Sequence, residues 1–311
     1  MAGKQREMFQ KQKCRKINVS LGSLAQKMNK VDKEVGMQNR EHEVRFELLR
    51  PAQLIEERKR CPLIFVPVAP LEYHGPHLPL GMDPINATLC AFEICRRMGR
   101  GVVLPTIYWG TERERPSWMA ENLGFKSTDW VVGMDFPSAL WESHYYQEHI
   151  FGLVLASKIE MLINHDYKVI VVVNGHGAVN HMETVDRLTK YYSHTTDSLA
   201  VWGLALPDEV TSENLVGHAD LYETSLMLYY QKVLGSDSIV DLSTLPERSI
   251  PIRYPDFSIV DGPAFSTKPR SDKIVQADPR DASAELGKKI HEEIVRKFMK
   301  VTEDALKQKG F

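Results

Sequence analysis

The sequence has little that points away from an ordinary reduced, water-facing protein. It holds only four cysteines, Cys14, Cys61, Cys90 and Cys95, with no Cys-x-x-Cys spacing and no neighbouring histidine to pair with. That excludes a disulfide scaffold and a cysteine-based zinc site, and it reads as free thiols in a cytosolic chain. No stretch approaches the ~18 apolar residues of a membrane span. The first residues lack the apolar core of a signal peptide, so the expected location is the cytoplasm. The net charge is only −2, which gives no general affinity for nucleic acid or for a membrane surface. There is no internal repeat and no low-complexity tract. A Gly-x-Gly-x-x-Gly fingerprint is also missing, so a nucleotide-binding oxidoreductase has no support.

What is present is a globular composition, 43% hydrophobic and 26% charged over 311 residues. A chain of this length buries about 75% of its unfolded surface and needs no staples. The charge is unevenly spread. Residues 1–45 carry 11 Lys/Arg against 5 Asp/Glu, whereas the remainder carries 28 against 36. The first 45 residues are polar, Lys/Gln-rich and weakly periodic. They read as an N-terminal extension, either a solvated arm or one that packs on a neighbouring subunit. Residues 46–311 form the expected functional domain.

From residue 46 strands and helices alternate. Pro51 stands in the first turn of a short helix. Residues 62–69 are apolar on both faces, as in a strand of a parallel sheet, and Pro67 places that strand near an edge or at a bulge. Asp83 as N-cap and Pro84 behind it open a helix over 84–98. Residues 101–104 predict a short strand, 146–164 a helix, and 168–173 the clearest buried strand of the chain. A helix follows to about Tyr192, then a strand over 199–206 and helices over 220–233 and 281–299. This alternation predicts a mostly parallel sheet with helices on both faces. Residues 105–145 break the rhythm. They contain Trp109, Trp118, Trp130 and Trp141, four of the five tryptophans. A segment this long reads as a substrate loop, and its indoles are expected to pack on something.

Ligands in open α/β sheets bind beyond the carboxyl ends of the strands. Leu71-Glu-Tyr-His-Gly-Pro-His-Leu-Pro-Leu-Gly-Met-Asp83 follows the strand 62–69 directly. Glu72 and His74 are two apart and point the same way in extended chain. With His77 and Asp83 they offer the carboxylate and imidazole donors that suit Zn, Mn or Fe. Asn174-Gly-His-Gly ends the buried strand and presents His176 between glycines. Gly217-His-Ala-Asp-Leu-Tyr-Glu-Thr-Ser225 places His218, Asp220 and Glu223 around a helix start. A carboxylate there serves as a ligand, as a general base, or simply as charge complementing the helix dipole.

In order along the chain, these segments resemble the motifs of the creatininase (creatinine amidohydrolase) family. Glu72 to Asp83 is similar to its first metal motif, and 173–180 to its Asn-Gly-His-Gly-Gly-Asn motif. Residues 217–225 are similar to its His-Ala-Gly-x-x-Glu-Thr-Ser motif, and 277–283 to its Gly-Asp-Pro segment. The resemblance spans roughly residues 46–300. It implies a three-layer α/β/α sandwich and a metal-dependent hydrolase with one or two divalent ions per subunit. It also implies a homo-oligomer, in this family often a hexamer. Glu72, His74, Asp83 and His176 are then ligands, Asp83 bridges two ions, and Glu223 is a further ligand or the general base. The chain departs from the family in two places. Where creatininase has a ligating Glu two residues after the histidine of His176, this chain has Ala178. The 105–145 segment also differs, which puts creatinine in doubt as substrate.

The expected chemistry is attack of activated water on the carbonyl of a small cyclic substrate, with Glu223 or His218 moving the proton. The bond opened is the C–N bond of a cyclic amide. The alternative is a C–C bond of a cyclic diketone such as an oxidised inositol of the 3-dehydro-scyllo-inosose type. A non-catalytic metal-binding oligomer is the rival from another class. Arg113, Arg115, Trp118 and His77 are the expected substrate contacts.

Overall fold

Four parallel strands run through the centre of the molecule in the order β2-β1-β3-β4: β1 Leu63–Val68, β2 Val102–Val103, β3 Val169–Asn174 and β4 Leu199–Leu204. The computed structural model describes residues 43–122, 125–137, 139–207, 218–249 and 278–311. The first 42 residues of the predicted extension therefore lie outside the described residues. Val44–Phe311 form one compact unit.

β1 and β3 are buried along their whole length and pair residue for residue from Leu63↔Val169 to Val68↔Asn174. Their β-branched and aromatic side chains feed two separate cores. Leu63, Phe65, Val169, Val171 and Val173 face α2 (Met82–Met98), α6 (Leu221–Leu234) and α7 (Ala284–Gln308). Ile64, Val66, Val68, Ile170 and Val172 face α4 (Glu148–Asn164) and α5 (Val179–Thr195). Each such side chain contributes roughly 1.5–3 kcal/mol of burial. The result is the expected three-layer α/β/α sandwich. Among the described residues, the two remaining α-helices are α1 (Pro51–Arg60) and α3 (Ser117–Asn122). Among the described residues, no helix is long and apolar enough to cross a membrane.

Three sequence expectations shift. Pro67 lies in an interior strand rather than an edge strand, since β1 has neighbours on both sides. Its carbonyl accepts from Ile107, so its backbone faces β2, and β2 has already ended at Val103. The missing N–H therefore interrupts no ladder. Asp83 is not an N-cap: α2 begins at Met82, two residues earlier than expected, with Gly81 in the cap position. The last helix is longer than expected. It starts at Ala284, capped by Ser283 Oγ on Leu286 N, and runs to Gln308.

Candidate metal centre

All the candidate ligands sit at the carboxyl end of the sheet. Glu72 and His74 follow β1, Asp83 lies in the first turn of α2, His176 stands two residues past β3, and Glu223 lies in the first turn of α6. Each is buried. His74 Nε2 lies 3.3 Å from Asp83 Oδ1 and 3.8 Å from both Glu72 Oε2 and Glu223 Oε2. His176 Nδ1 lies 3.1 Å from Glu72 Oε2 and 3.1 Å from Asp83 Oδ2. Three overlapping groups have ligand atoms within 4.8 Å of one another: Glu72–Asp83–His176, His74–Asp83–Glu223 and Glu72–His74–His218.

The local backbone explains the convergence. The segment after β3 passes so close to α2 that a Cβ on Gly175 would overlap the carbonyl oxygen of Asp83. Only glycine permits this approach, and it brings His176 against Asp83. Asn174 locks the turn, accepting from His176 N at 3.0 Å and donating to His176 O at 2.8 Å. Ahead of α6, Ala219 adopts φ +54°, a conformation that costs a non-glycine residue about 1 kcal/mol or more. It directs its N–H to Glu223 Oε2 at 2.5 Å. Asp220 is taken up as the N-cap of α6, accepting from Tyr222 N and Glu223 N. Backbone carbonyls orient two imidazoles. His74 Nδ1 donates to Glu72 O at 3.0 Å, which leaves Nε2 toward the carboxylates. His218 Nε2 donates to Tyr73 O at 2.6 Å, which leaves its Nδ1 lone pair 3.9 Å from Glu72 Oε2.

The electrostatics are those of a site made for a cation. Burial pushes Glu72 upward, but His176, His218 and His74 outweigh it and hold the carboxyl well below its usual range. Burial disfavours charged His74, yet Asp83, Glu223 and Glu72 raise it to about 10. Burial raises Glu223 to about 8, with Asp220 and Asp83 adding to it against His74. Burial and the neighbouring charge of His74 push His218 down to about 4, so it is a neutral base at physiological pH. Three buried carboxylates within reach of one another are costly without positive charge between them. His74 Nε2, which is buried and has no hydrogen-bond partner, faces them. The donor set thus fits one or two divalent ions of the Zn or Mn type.

A cavity of about 190 Å³ opens onto this cluster, with Glu72, Asp83, His176, His218 and Glu223 at its floor. Of the expected substrate contacts, Arg115 lines it and Arg113, Trp118 and His77 do not. The Arg113 guanidinium is half-exposed and turned to Glu148 at 3.0 Å and Glu183 at 3.2 Å. Trp118 is exposed. His77 is buried and bonds Thr224 Oγ1 at 3.0 Å, behind the floor. The indoles of the loop do not all pack away. Trp109 stacks on Tyr146 with centroids 3.9 Å apart, but Trp130 and Trp141 are 65% and 62% exposed. Ala178 lines the cavity without a carboxylate, and Glu223 stands with His74 and Asp83 instead. Three residues were missed from the sequence. Tyr145 donates its hydroxyl to Glu72, Glu112 lines the cavity, and His181 sets its ring edge-to-face 5.1 Å from His176. Tyr145 and Glu112 come from the aperiodic segment, where no periodicity marks inward positions.

Comparison with known proteins agrees with this architecture. The creatininase family model, creatinine amidohydrolase, matches residues 48–302. A 3-dehydro-scyllo-inosose hydrolase of Thermotoga maritima is 35% identical over 65 residues. That match spans 21% of this chain and 21% of the relative, about a fifth of its length. A crystal structure of creatinine amidohydrolase superposes with a TM-score of 0.57 at 21% identity, covering 86% of this chain and 98% of the other. A manganese form of creatininase gives 0.57 at 21% identity, over 84% and 98%. A Zn–Zn form of a creatininase mutant gives 0.55 at 20% identity, over 84% and 98%. At these identities the likeness to the solved structures is one of fold. The family match extends over most of the chain: it belongs to the creatininase family of metal-dependent hydrolases.

Proposed function

We propose that this chain is a ring-opening hydrolase of a small cyclic substrate, with two divalent ions held by Glu72, Asp83 and His176 on one side and by His74, Asp83 and Glu223 on the other. The observation that carries this reading is the orientation of Asp83. Its Oδ1 faces His74 and its Oδ2 faces His176, so one carboxylate contributes an oxygen to each group. When bound, the ions lower the pKa of water and polarise a carbonyl. The remaining work belongs to the chain. His218, kept neutral and fixed by Tyr73 O, presents Nδ1 to take a proton from the attacking water and return it to the leaving atom. Tyr145 holds Glu72 in place through its hydroxyl, and the loop beyond residue 110 limits the entry of bulk water.

Opening of a cyclic amide at its C–N bond is the first reading. Opening of a cyclic diketone at a C–C bond is the second, favoured by the Thermotoga relative. Metal analysis after reconstitution with Mn or Zn, followed by a screen of cyclic amides and cyclic ketones, tests both. Two ions per subunit with turnover of either class supports the proposal. Tight metal binding with no turnover of any ring would mark a metal-binding protein without catalysis. The homo-oligomer implied by the family is part of the same proposal and is checked by light scattering.

A further inference from the structure

A buried imidazole that holds an ion through one nitrogen carries a hydrogen on the other, and that hydrogen needs an acceptor. Two histidines of the floor have theirs in the backbone: His74 Nδ1 donates to Glu72 O and His218 Nε2 to Tyr73 O. His176 is different. Its Nδ1 stands 3.1 Å from Glu72 Oε2 and 3.1 Å from Asp83 Oδ2, so this nitrogen faces the ligand cluster. Its Nε2 is buried and has no hydrogen-bond partner among the described residues.

The ring beside it is His181. The two centroids lie 5.1 Å apart at an interplanar angle of 89°, a separation that lets two ring nitrogens approach to about 3 Å. His181 is fully buried, and neither of its nitrogens has a hydrogen-bond partner among the described residues. Its ring stacks on Phe151 with centroids 4.3 Å apart. A phenyl or leucyl side chain would fill this place without two unpaired polar atoms, which cost stability in the interior. The position is firmly held. His181 lies in the first turn of α5, five residues after His176. Asn180 next to it donates to Thr111 Oγ1 and to Glu148 Oε2, both at 3.3 Å. Tyr145 also lies near His176, at 6.0 Å between centroids, but its hydroxyl is engaged with Glu72 and Met134 N. Burial favours the neutral form of His181, which offers one lone pair and no charge. A carboxylate there could accept as well, but it would add negative charge beside Glu72 and Asp83.

We propose that His181 is a positioning residue of the metal centre: its neutral imidazole accepts the Nε2–H of His176 and so keeps His176 Nδ1 bare and aimed toward Glu72 and Asp83. This inference rests on the metal-dependent reading above and adds the support of one ligand. His181 itself touches neither an ion nor a substrate. Its effect is on the tautomer and the orientation of His176. Without an acceptor at Nε2, His176 is free to carry its hydrogen on Nδ1, where it blocks the nitrogen that binds. Affinity for an ion then falls in proportion to the fraction of molecules in the competent form.

The test compares the parent chain with two variants. His181→Phe keeps a ring for Phe151 to stack on and removes both nitrogens, and His181→Gln returns an acceptor. Zinc affinity is measured by competition with a chelator. His181→Phe should bind zinc about 10- to 100-fold more weakly, the cost typical of losing an outer partner of a metal ligand. His181→Gln should recover part of that loss. The metal-free His181→Phe protein should melt no lower than the parent, because it buries no unpaired nitrogen; a residue kept only for packing would lower the melting temperature and leave zinc affinity alone. The zinc-loaded parent gives a reading that needs no variant. With isotope-labelled histidine in NMR, His176 should carry its proton on Nε2, and a nitrogen–nitrogen coupling across the hydrogen bond should join it to His181. Equal zinc affinity in the parent and His181→Phe, or a zinc-loaded parent that lacks this coupling, overturns the assignment alone. A parent that takes up no zinc overturns the metal-dependent reading and this assignment with it.

Discussion

The floor of the cavity and its wall are built in opposite ways. The floor hangs on the ends of two fully buried strands and on the first turns of two long helices. Its imidazoles are fixed by backbone carbonyls and its turns by close glycine packing. Part of the wall, with Glu112, Arg115 and Met134, comes from a segment whose regular structure among the described residues is a six-residue helix and isolated bridges such as Glu114↔Val132. Rigid elements hold donors to the tolerance that a metal demands. A loop on a rigid scaffold is where specificity varies at little cost to the fold. On the proposed function, chemistry is placed on the core and the 105–145 segment supplies part of the wall that a substrate meets.

The strongest way to break the floor is at Asp83. Asp83→Ala removes one oxygen from each ligand group and should abolish binding of both ions, with turnover falling to background. Elemental analysis of the purified variant checks this. The loss of affinity should exceed the roughly 10–100-fold typical of losing an outer partner. Retention of two ions would show that Asp83 does not bridge. Glu223→Gln is the sharper companion, since it should cost the His74 side while leaving the Glu72–His176 side loaded.

Tyr145 links wall to floor and should give the next effect. Tyr145→Phe removes the hydroxyl that donates to Glu72 and accepts from Met134 N at 3.2 Å. Metal affinity should fall roughly 10–100-fold, as for other supporting groups around metal ligands, while the fold survives. Competition with a chelator measures it. Unchanged affinity would reduce Tyr145 to a packing residue.

The contrast between floor and wall also decides what could be read before folding. Glu72, His74, Asp83 and His176 lie in short local motifs beside strands that their own hydrophobicity announces, so sequence and topology together were enough. The position of Pro67 was not legible, because whether a strand is an edge depends on partners 38 and 106 residues away. Arg113 and Arg115 look alike in sequence, and only the turn at Val131–Asp135 sends one outward and the other inward. Tyr145 reaches Glu72 across 73 residues, through chain without a period that could forecast it.

Proton linkage gives a third effect. In the metal-free protein His74 is raised from 6.5 to about 10 and Glu223 from 4.5 to about 8. A raised folded value means the native state holds protons that the unfolded state releases. That stabilisation is complete below the unfolded value and is lost as pH rises through the folded one. Between pH 6.5 and 10 the metal-free protein should therefore lose stability, by roughly 3 °C or more in Tm, the shift that about 1 kcal/mol gives in a domain of this size. Metal replaces the protons, so affinity for Zn or Mn should rise over the same window and cancel the loss. A flat or rising Tm in the metal-free protein would show that these groups are not coupled as described.

The smallest effect belongs to the outer face of the wall, and it is informative because it should be small. Trp130 and Trp141 are mostly exposed, whereas Trp109 is partly buried in the second core and stacked on Tyr146. An indole in contact with water on most of its surface has already forgone most of its hydrophobic gain. Trp130→Ser and Trp141→Ser should each change the unfolding free energy of the single chain by about 0.5 kcal/mol or less, as exposed substitutions do. Trp109→Ala should cost about 2–4 kcal/mol, since it empties a packed position and breaks an aromatic stack. Denaturant unfolding at low protein concentration separates the two cases. If the outer substitutions cost as much as Trp109→Ala, those indoles are covered in solution. A concentration-dependent Tm lost in the serine variants would then identify another subunit as the cover.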